Sequence, residues 1–133
     1  MTSQTGSTRM LHITLFSFGY KFGLPGDMNL LWDVRFLPNP YWVESLRPRN
    51  GRERDVSDYA IDNTAGRKFL QLVEPLLLFL IEQQTQNPNS EFAIAVGCTG
   101  GRHRSVAVVE ALRAMLEKQP VVLTVFHRDI DKE

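Results

Sequence analysis

Apolar positions along this chain fall into short strand-like runs and longer stretches of helical spacing. Met10 to Phe18, "MLHITLFSF", alternates loosely and is rich in strand formers, which suits a first strand buried on both faces. "GYKFGLPGD" follows, and its glycines and proline mark a structured loop. A second strand is predicted at Leu31 to Phe36, stopped by Pro38 and Pro40, because proline lacks the ladder donor and restricts its predecessor. A helical turn is expected around Val56 to Ile61. Thr64 suits the N-cap of a helix over Ala65 to Gln84, where Phe69, Leu72, Val73, Leu76, Leu77 and Leu80 recur at helical spacing. Pro75 inside it should bend the helix or split it. The pattern then predicts a strand at Phe92 to Val96 and a helix from Arg104 to Lys118 that offers Val106, Val109, Leu112, Ala114, Met115 and Leu116 for burial. A last strand is expected at Val121 to Phe126, before a charged tail that frays.

Strands alternating with helices imply crossover connections. The expected fold is α/β, a single domain over residues 10–133 with a largely parallel or mixed sheet of about four strands and helices packed on its faces. Ligands of such sheets sit beyond the carboxyl ends of the strands, where the loop after Val96 falls. At 133 residues, 43% of them hydrophobic, the chain has apolar material for one core. Fifteen basic and fifteen acidic side chains cancel, so any anion site must be local rather than a product of the global field. The single cysteine, Cys98, cannot form an internal disulfide and fits a reducing, cytoplasmic setting. No apolar run is long enough to cross a bilayer, the longest being "PLLLFLI". The polar start, "MTSQTGSTRM", has no apolar segment of the kind a secretory signal needs, and residues 1–9 read as a flexible arm.

Local charge is concentrated in "GCTGGRHRS", Gly97 to Ser105. A loop between a buried strand and a helix N-terminus aims unpaired backbone N–H groups at one point, and the helix dipole adds partial positive charge. Gly100 and Gly101 permit positive φ and close approach of the backbone. Thr99 and Ser105 add hydroxyls, Arg102 and Arg104 add forked donors, and His103 donates more strongly once protonated. No carboxylate lies between Cys98 and Ser105, so the combination points to phosphate, sulfate or carboxylate recognition. Its plain alternative is a tight turn with solvated arginines, and for Cys98 the plain alternative is a small buried apolar residue.

A nucleotide P-loop requires a lysine that this stretch lacks. Cys98, Arg104 and Ser105 do reproduce the C-x5-R-[ST] spacing of cysteine-dependent phosphatases, in which a thiolate attacks phosphorus and the arginine clamps its oxygens. Gly97 stands where many such enzymes carry histidine, and the sequence assigns no general acid, Asp33 and Asp58 being candidates only.

Four blocks, "SFGYKFGLP", "DVRFLPNP", "GCTGGRHRS" and "HR" at His127 and Arg128, occur in the order seen in the C-terminal domain of the RapZ family of RNase adapter proteins, which the chain resembles over most of its length. In that family the domain follows a P-loop kinase-like domain that this sequence lacks. The resemblance implies a fold similar to part of phosphofructokinase, a pocket that senses glucosamine-6-phosphate, binding of small regulatory RNA, and self-association. It implies that Thr99, Gly100 and Arg104 hold phosphate, with Cys98, Gly101, His103 and Ser105 shaping the loop. Arg102 falls where the family has a basic residue credited with RNA contact. Lys21, Asp33, Arg35, Asn39 and Arg128 become pocket neighbours.

Two departures bear on the ligand. Phe22 replaces a histidine common in the first block, which leaves the sugar open. The RNA-binding relatives end in clustered lysines and arginines, whereas this chain ends "HRDIDKE". RNA affinity grows with the number of phosphates neutralised, so RNA contact falls to Arg47, Arg49, Arg52, Arg54 and Arg102. The expected function is a regulatory, non-catalytic module for an amino-sugar phosphate, with small RNA as a second ligand class, homo-oligomers as the assembly, and no cofactor, metal or membrane. A phosphomonoester hydrolase using Cys98 and Arg104, and an oligomerising scaffold with no ligand, are the alternatives.

Overall fold

A computed structural model describes residues 10–87 and 90–132. The arm expected at 1–9 lies outside them. Four strands form one sheet: β1 (Leu11–Gly19), β2 (Leu30–Asp33), β3 (Glu91–Cys98) and β4 (Val121–His127). Three α-helices, α1 (Arg54–Ile61), α2 (Thr64–Gln84) and α3 (Arg104–Leu116), fill the connections. The sheet order is β2-β3-β1-β4 and every pair is parallel. The expected α/β class is therefore what is found.

Alternation along β1 divides the sheet into two faces. Leu11, Ile13 and Leu15 join Phe92, Ile94 and Val96 of β3 in the main core, which α2 closes with Val73, Leu77 and Ile81 and α3 with Val108, Val109, Leu112 and Leu116. On the opposite face Phe16, Phe18 and Ala95 pack with Tyr20, Met28 and Leu31, and no residue of α1, α2 or α3 joins that cluster. Phe126 stacks flat on Phe16, with ring centroids 4.8 Å apart.

Several predicted boundaries move, for local reasons. β2 stops at Asp33 rather than Phe36 because the Asp33 carboxylate accepts the Arg35 amide at 3.0 Å and Leu37 then donates back to Val34, turning the chain. Asn63, not Thr64, caps α2. Its Oδ1 accepts the Gly66 amide at 2.8 Å while its Nδ2 donates to the last carbonyls of α1, so one side chain serves both helices at their corner. Gly66 has to be glycine there, since a Cβ would meet the Ile61 carbonyl oxygen at 2.2 Å. Pro75 does not divide α2, which runs unbroken to Gln84. Leu72 and Leu76, which fit the helical spacing of α2, are exposed, as is Ala114 of α3, which had been offered for burial. A 3-10 turn at Pro40–Trp42, capped by Asn39, was not legible as an element in the sequence.

The register places Gly19 beside Cys98 and Ser17 beside His127. The carboxyl ends of β1, β3 and β4 thus meet at one edge of the molecule, and the loops that follow them converge there.

Candidate functional site

β3 delivers Cys98 to the sheet edge, and Thr99 to His103 turn the chain into α3. Gly101 makes this turn at φ 74°, and a Cβ on it would meet the Gly19 nitrogen at 2.6 Å. A Cβ on Gly19 would in turn strike the Gly100 carbonyl carbon at 2.4 Å. Two loops distant in sequence therefore touch through glycine backbones, and Lys21 seals the contact by donating its amide to the Thr99 carbonyl at 3.1 Å. Gly100 differs from both: a Cβ there meets nothing within 4 Å, so its backbone faces open space. Among the described residues, the amides of Gly100, Gly101, Arg102, His103 and Arg104 have no intramolecular hydrogen-bond acceptor.

Of these residues Gly100, Arg102, His103 and Arg104 border a cavity of about 660 Å³. Its wall includes Lys21, Asn39, Cys98, Thr99, Gly100, Arg102, His103 and Arg104 from the sequence-derived set. Gly101, Ser105, Asp33, Arg35 and Arg128 lie behind or beside it rather than on its surface. Lys132, Glu44, Arg47, Pro48 and the Tyr41–Trp42 pair complete the lining. Of these, only Arg47 had been singled out, and for RNA. The rest come from segments whose sequence carries no phosphate signal, and only tertiary folding brings them in.

Individual side chains differ in what they have free. Arg104 is 5% exposed. Its Nη1 donates to the carbonyls of Arg35 at 2.7 Å and Leu37 at 3.3 Å, Nη2 reaches the Thr99 hydroxyl at 3.4 Å, and Nε is buried without a partner. Burial holds its pKa below the usual arginine value, opposed by Cys98. His103 is buried with its Nε2 3.0 Å from the Arg47 carbonyl, and burial lowers its pKa, which favours the neutral ring. This histidine ties the Arg47–Arg54 segment to the loop, and Gly51 adds a second tie by donating to the Arg102 carbonyl at 2.9 Å. Ser105 is fully buried and turned towards Cys98: its amide reaches Sγ at 3.3 Å, and the thiol lies 3.1 Å from its hydroxyl. Arg102, Lys21 and Thr99 keep the freer polar groups at the cavity surface.

Most of the remaining candidates are engaged by neighbouring groups of the protein. Asp33 and Arg35 form a forked ion pair at 2.6–3.1 Å, with the guanidinium 3.9 Å above the Tyr20 ring. The Arg35 hydrogen bonds hold the Asp33 carboxyl below its ordinary pKa. Arg128 binds the Asp129 carboxylate and donates to the Gly23 carbonyl at 2.7 Å, fastening the end of the chain to the first loop. Lys132 bonds the same carboxylate at 2.7 Å while still reaching the cavity. In the basic segment, Arg49 is paired with Glu53 and Asp55, and Arg54 lies 3.8 Å from Asp58. Arg47 donates to the Tyr41 carbonyl at 2.7 Å and stacks over that ring. Arg52 is exposed beside them.

A buried relay was missed from the sequence, although His127 lies in a matching block. Ser17 Oγ is 2.7 Å from His127 Nδ1, and His127 Nε2 is 2.6 Å from Glu110 Oε2. Its residue types resemble a nucleophile, base and acid, but Ser17 has no solvent access. The relay clamps β1, β4 and α3 together. Among the described residues no cluster of His, Cys, Asp and Glu could hold a metal ion, and no helix is long and apolar enough to cross a membrane.

Fold and site together define a parallel α/β domain whose strand-to-helix loop carries unspent amides and basic side chains over a cavity. The chain belongs to the RapZ C-terminal domain family, whose model matches residues 11–131. Similar proteins include a nucleotide-binding protein of Caldicellulosiruptor bescii, 42% identical over 130 residues, which are 98% of this chain and 45% of that protein. Another, from Mycobacterium avium, is 41% identical over 132 residues, 96% of this chain and 44% of that protein. A third, from Moorella thermoacetica, is 44% identical over 93% of this chain and 42% of its own length. The chain spans less than half the length of these relatives.

Proposed function

We propose that the domain is a regulatory module that binds a phosphorylated small molecule, an amino-sugar phosphate of the glucosamine-6-phosphate kind, in the cavity beside Gly100. The observation that carries this reading is the run of unspent amides from Gly100 to Arg104, bordering a cavity that Lys21, Arg102 and Lys132 also reach. Amides at a helix N-terminus with adjacent cations favour an anion without further machinery. Phosphate would sit over Gly100, where no side chain intervenes. The cavity is larger than the anion needs, which leaves room for the rest of the ligand against Asn39, Tyr41 and Glu44. Glu44 brings the acidic group that an amino-sugar's ammonium would seek.

The relatives' name, nucleotide-binding protein, belongs to chains more than twice as long, so a nucleotide is a competitor to test rather than an assignment. Calorimetry with glucosamine-6-phosphate, glucosamine, inorganic phosphate and a nucleoside monophosphate separates these ligands. Binding that requires both the phosphate and the amino group supports the reading, and equal affinity for unphosphorylated glucosamine defeats it.

A second reading, phosphomonoester hydrolysis through Cys98, is favoured by one observation. Cys98 Sγ accepts the Ser105 amide at 3.3 Å and donates to the Ser105 hydroxyl at 3.1 Å, which fixes the sulfur at the head of α3, on the wall of the cavity. Asp33, the candidate acid that strand pairing sets beside Gly97, is committed to Arg35 and held ionised, and so is poorly suited to protonate a leaving group. Release of product from a chromogenic aryl phosphate that disappears in Cys98→Ser would establish this reading. RNA binding, the third ligand class, draws on Arg47, Arg52 and Arg102, because Arg49 and Arg54 have acidic partners. A mobility shift across a salt series tests it, a shallow salt slope counting against phosphate contacts.

A further inference from the structure

Three aromatic residues alternate along the end of β1 and the Tyr20–Phe22 turn that follows it, and each carries a cation on its ring. Arg128 lies over Phe18 with its guanidinium carbon 5.6 Å from the ring centroid, and Arg35 lies over Tyr20 at 3.9 Å. Phe22 has two cations, the ammonium groups of Lys21 at 5.2 Å and Lys132 at 5.1 Å. All four fall within the range at which a ring quadrupole attracts a positive charge. Phe22 differs from the other two rings in where its cations lead. Arg35 and Arg128 are spent on Asp33 and Asp129 and do not line the cavity, whereas Lys21 and Lys132 both do. The Phe22 ring is not part of the cavity wall, so it acts on whatever enters through the two lysines.

Two ammonium groups drawn to one ring repel each other, and without the ring their long side chains would spread into solvent. Asp129 is the only ion-pair partner that either has among the described residues. It bonds Lys132 at 2.7 Å but also serves Arg128, and Lys21 has no such partner. The cavity wall beside the first loop therefore holds more positive than negative charge. An anion with two charges relieves that excess about twice as well as an anion with one, because the attraction to each ammonium scales with the product of the charges. A phosphomonoester near neutral pH carries close to two negative charges. A phosphodiester carries one.

We propose that Phe22 is a positioning residue of the anion site: its ring gathers Lys21 and Lys132 at the cavity wall, and through them the site prefers a phosphomonoester to a phosphodiester. The inference rests on the phosphate reading of the cavity and adds to it the residue that sets the charge preference. It assigns no contact between Phe22 and the ligand. An internal phosphate of a nucleic-acid chain, being a diester, is by the same argument the poorer occupant.

Calorimetry of the 133-residue chain with glucosamine-6-phosphate and with its methyl phosphodiester, two probes that differ by one charge, provides the test. The wild type binds the monoester more tightly. Phe22→Leu keeps an apolar side chain but loses the π face, and it weakens monoester binding by roughly three- to tenfold while the diester loses less. Phe22→Tyr, which keeps the π face, restores the preference. With Lys21→Met and Lys132→Met already in place, Phe22→Leu has no further effect, an outcome that a role in general stability would not produce. In the ligand-free protein the ring current of Phe22 shifts the ε-methylene proton resonances of Lys21 and Lys132, and Phe22→Leu abolishes those shifts, so the gathering of the lysines is read without any ligand. A Phe22→Leu variant that binds both probes as the wild type does, or wild-type lysine resonances at random-coil positions, overturns the proposal and leaves the phosphate reading standing. A wild type that binds neither probe overturns the phosphate reading and the charge preference with it.

Discussion

Arg104 Nη1 donates to the main-chain carbonyl of Arg35 at 2.7 Å, so the arginine that heads α3 is first a strut between the loop after β2 and the loop after β3. From sequence it had looked like a free phosphate clamp. Only Nη2, with its long 3.4 Å contact to the Thr99 hydroxyl, remains to meet a ligand, while Nε is buried. Arg104→Ala is therefore expected to lower folding stability by about 1–3 kcal/mol through the orphaned carbonyls, as well as weaken ligand binding. Urea denaturation checks the first effect; an unchanged midpoint would show that the strut contributes nothing.

Arg102 gives the cleaner measure of charge at the site. It reaches the cavity with one long contact, its Nε lying 3.5 Å from the Ile130 carbonyl. Arg102→Ala should leave the melting temperature within a degree or two and weaken phosphosugar binding by about 1.5–3 kcal/mol, the value of a hydrogen bond to a charged group. Calorimetry at constant ionic strength reads the difference.

The two glycines of the loop separate fold from function. Gly101→Ala combines a left-handed φ with a 2.6 Å approach to the Gly19 nitrogen and should cost more than about 1 kcal/mol of stability. Gly100→Ala meets no atom within 4 Å, so the empty protein should be nearly as stable as wild type. A methyl group there would stand where the phosphate is placed, and affinity should drop about tenfold or more. Thermal shift with and without ligand distinguishes the two variants.

Mild acid should destabilise the domain through its buried histidines. Burial lowers the pKa of His103 and His127 from 6.5, opposed at His103 by the Arg47 carbonyl and at His127 by Glu110. A base whose folded pKa is depressed binds more protons when unfolded, so its share of stability is present above about pH 6.5 and is lost as pH falls through the lowered folded value. Stability should decline between about pH 7 and 5, and less steeply in His127→Gln. Denaturation midpoints over that range provide the check, a flat wild-type profile contradicting it.

Asp129 extends the loss at lower pH. Burial alone would raise its pKa, but hydrogen bonds from Arg128, Lys132 and the Gly19 amide outweigh it and hold the carboxyl below 3.8. Its stabilisation is present above roughly pH 4 and lost as pH falls through the depressed value. Asp129→Asn should flatten the acid limb while lowering stability at neutral pH.

How much of this was legible in the sequence depends on the range of the interaction concerned. Strand alternation in β1 and helical spacing in α3 are local, and both elements form where the pattern puts them, to within a few residues. The cap of α2 went to Asn63 because that side chain can also bond the end of α1, a tertiary advantage that Thr64 lacks. Leu72 and Leu76 fit the helical period but face outward, since periodicity identifies an apolar stripe without saying what covers it. At the site, the loop from Cys98 to Arg104 was readable from composition. Lys132, Glu44 and Trp42 were not, because nothing in "YWVE" or "DKE" signals that they fold against the end of β3. The sequence blocks made Asp33, Arg35 and Arg128 neighbours of the pocket; Asp33 and Arg35 bind each other, and Arg128 binds Asp129 and the Gly23 carbonyl.

The most direct test is an amide proton–nitrogen NMR titration of the labelled domain with glucosamine-6-phosphate. Saturable shifts centred on Gly100, Gly101, Arg102, His103 and Arg104, with smaller ones at Lys21, are predicted, and inorganic phosphate should move the same resonances at higher concentration. If those amides stay still while any phosphomonoester binds elsewhere, or if none binds at all, phosphate recognition by this loop is wrong.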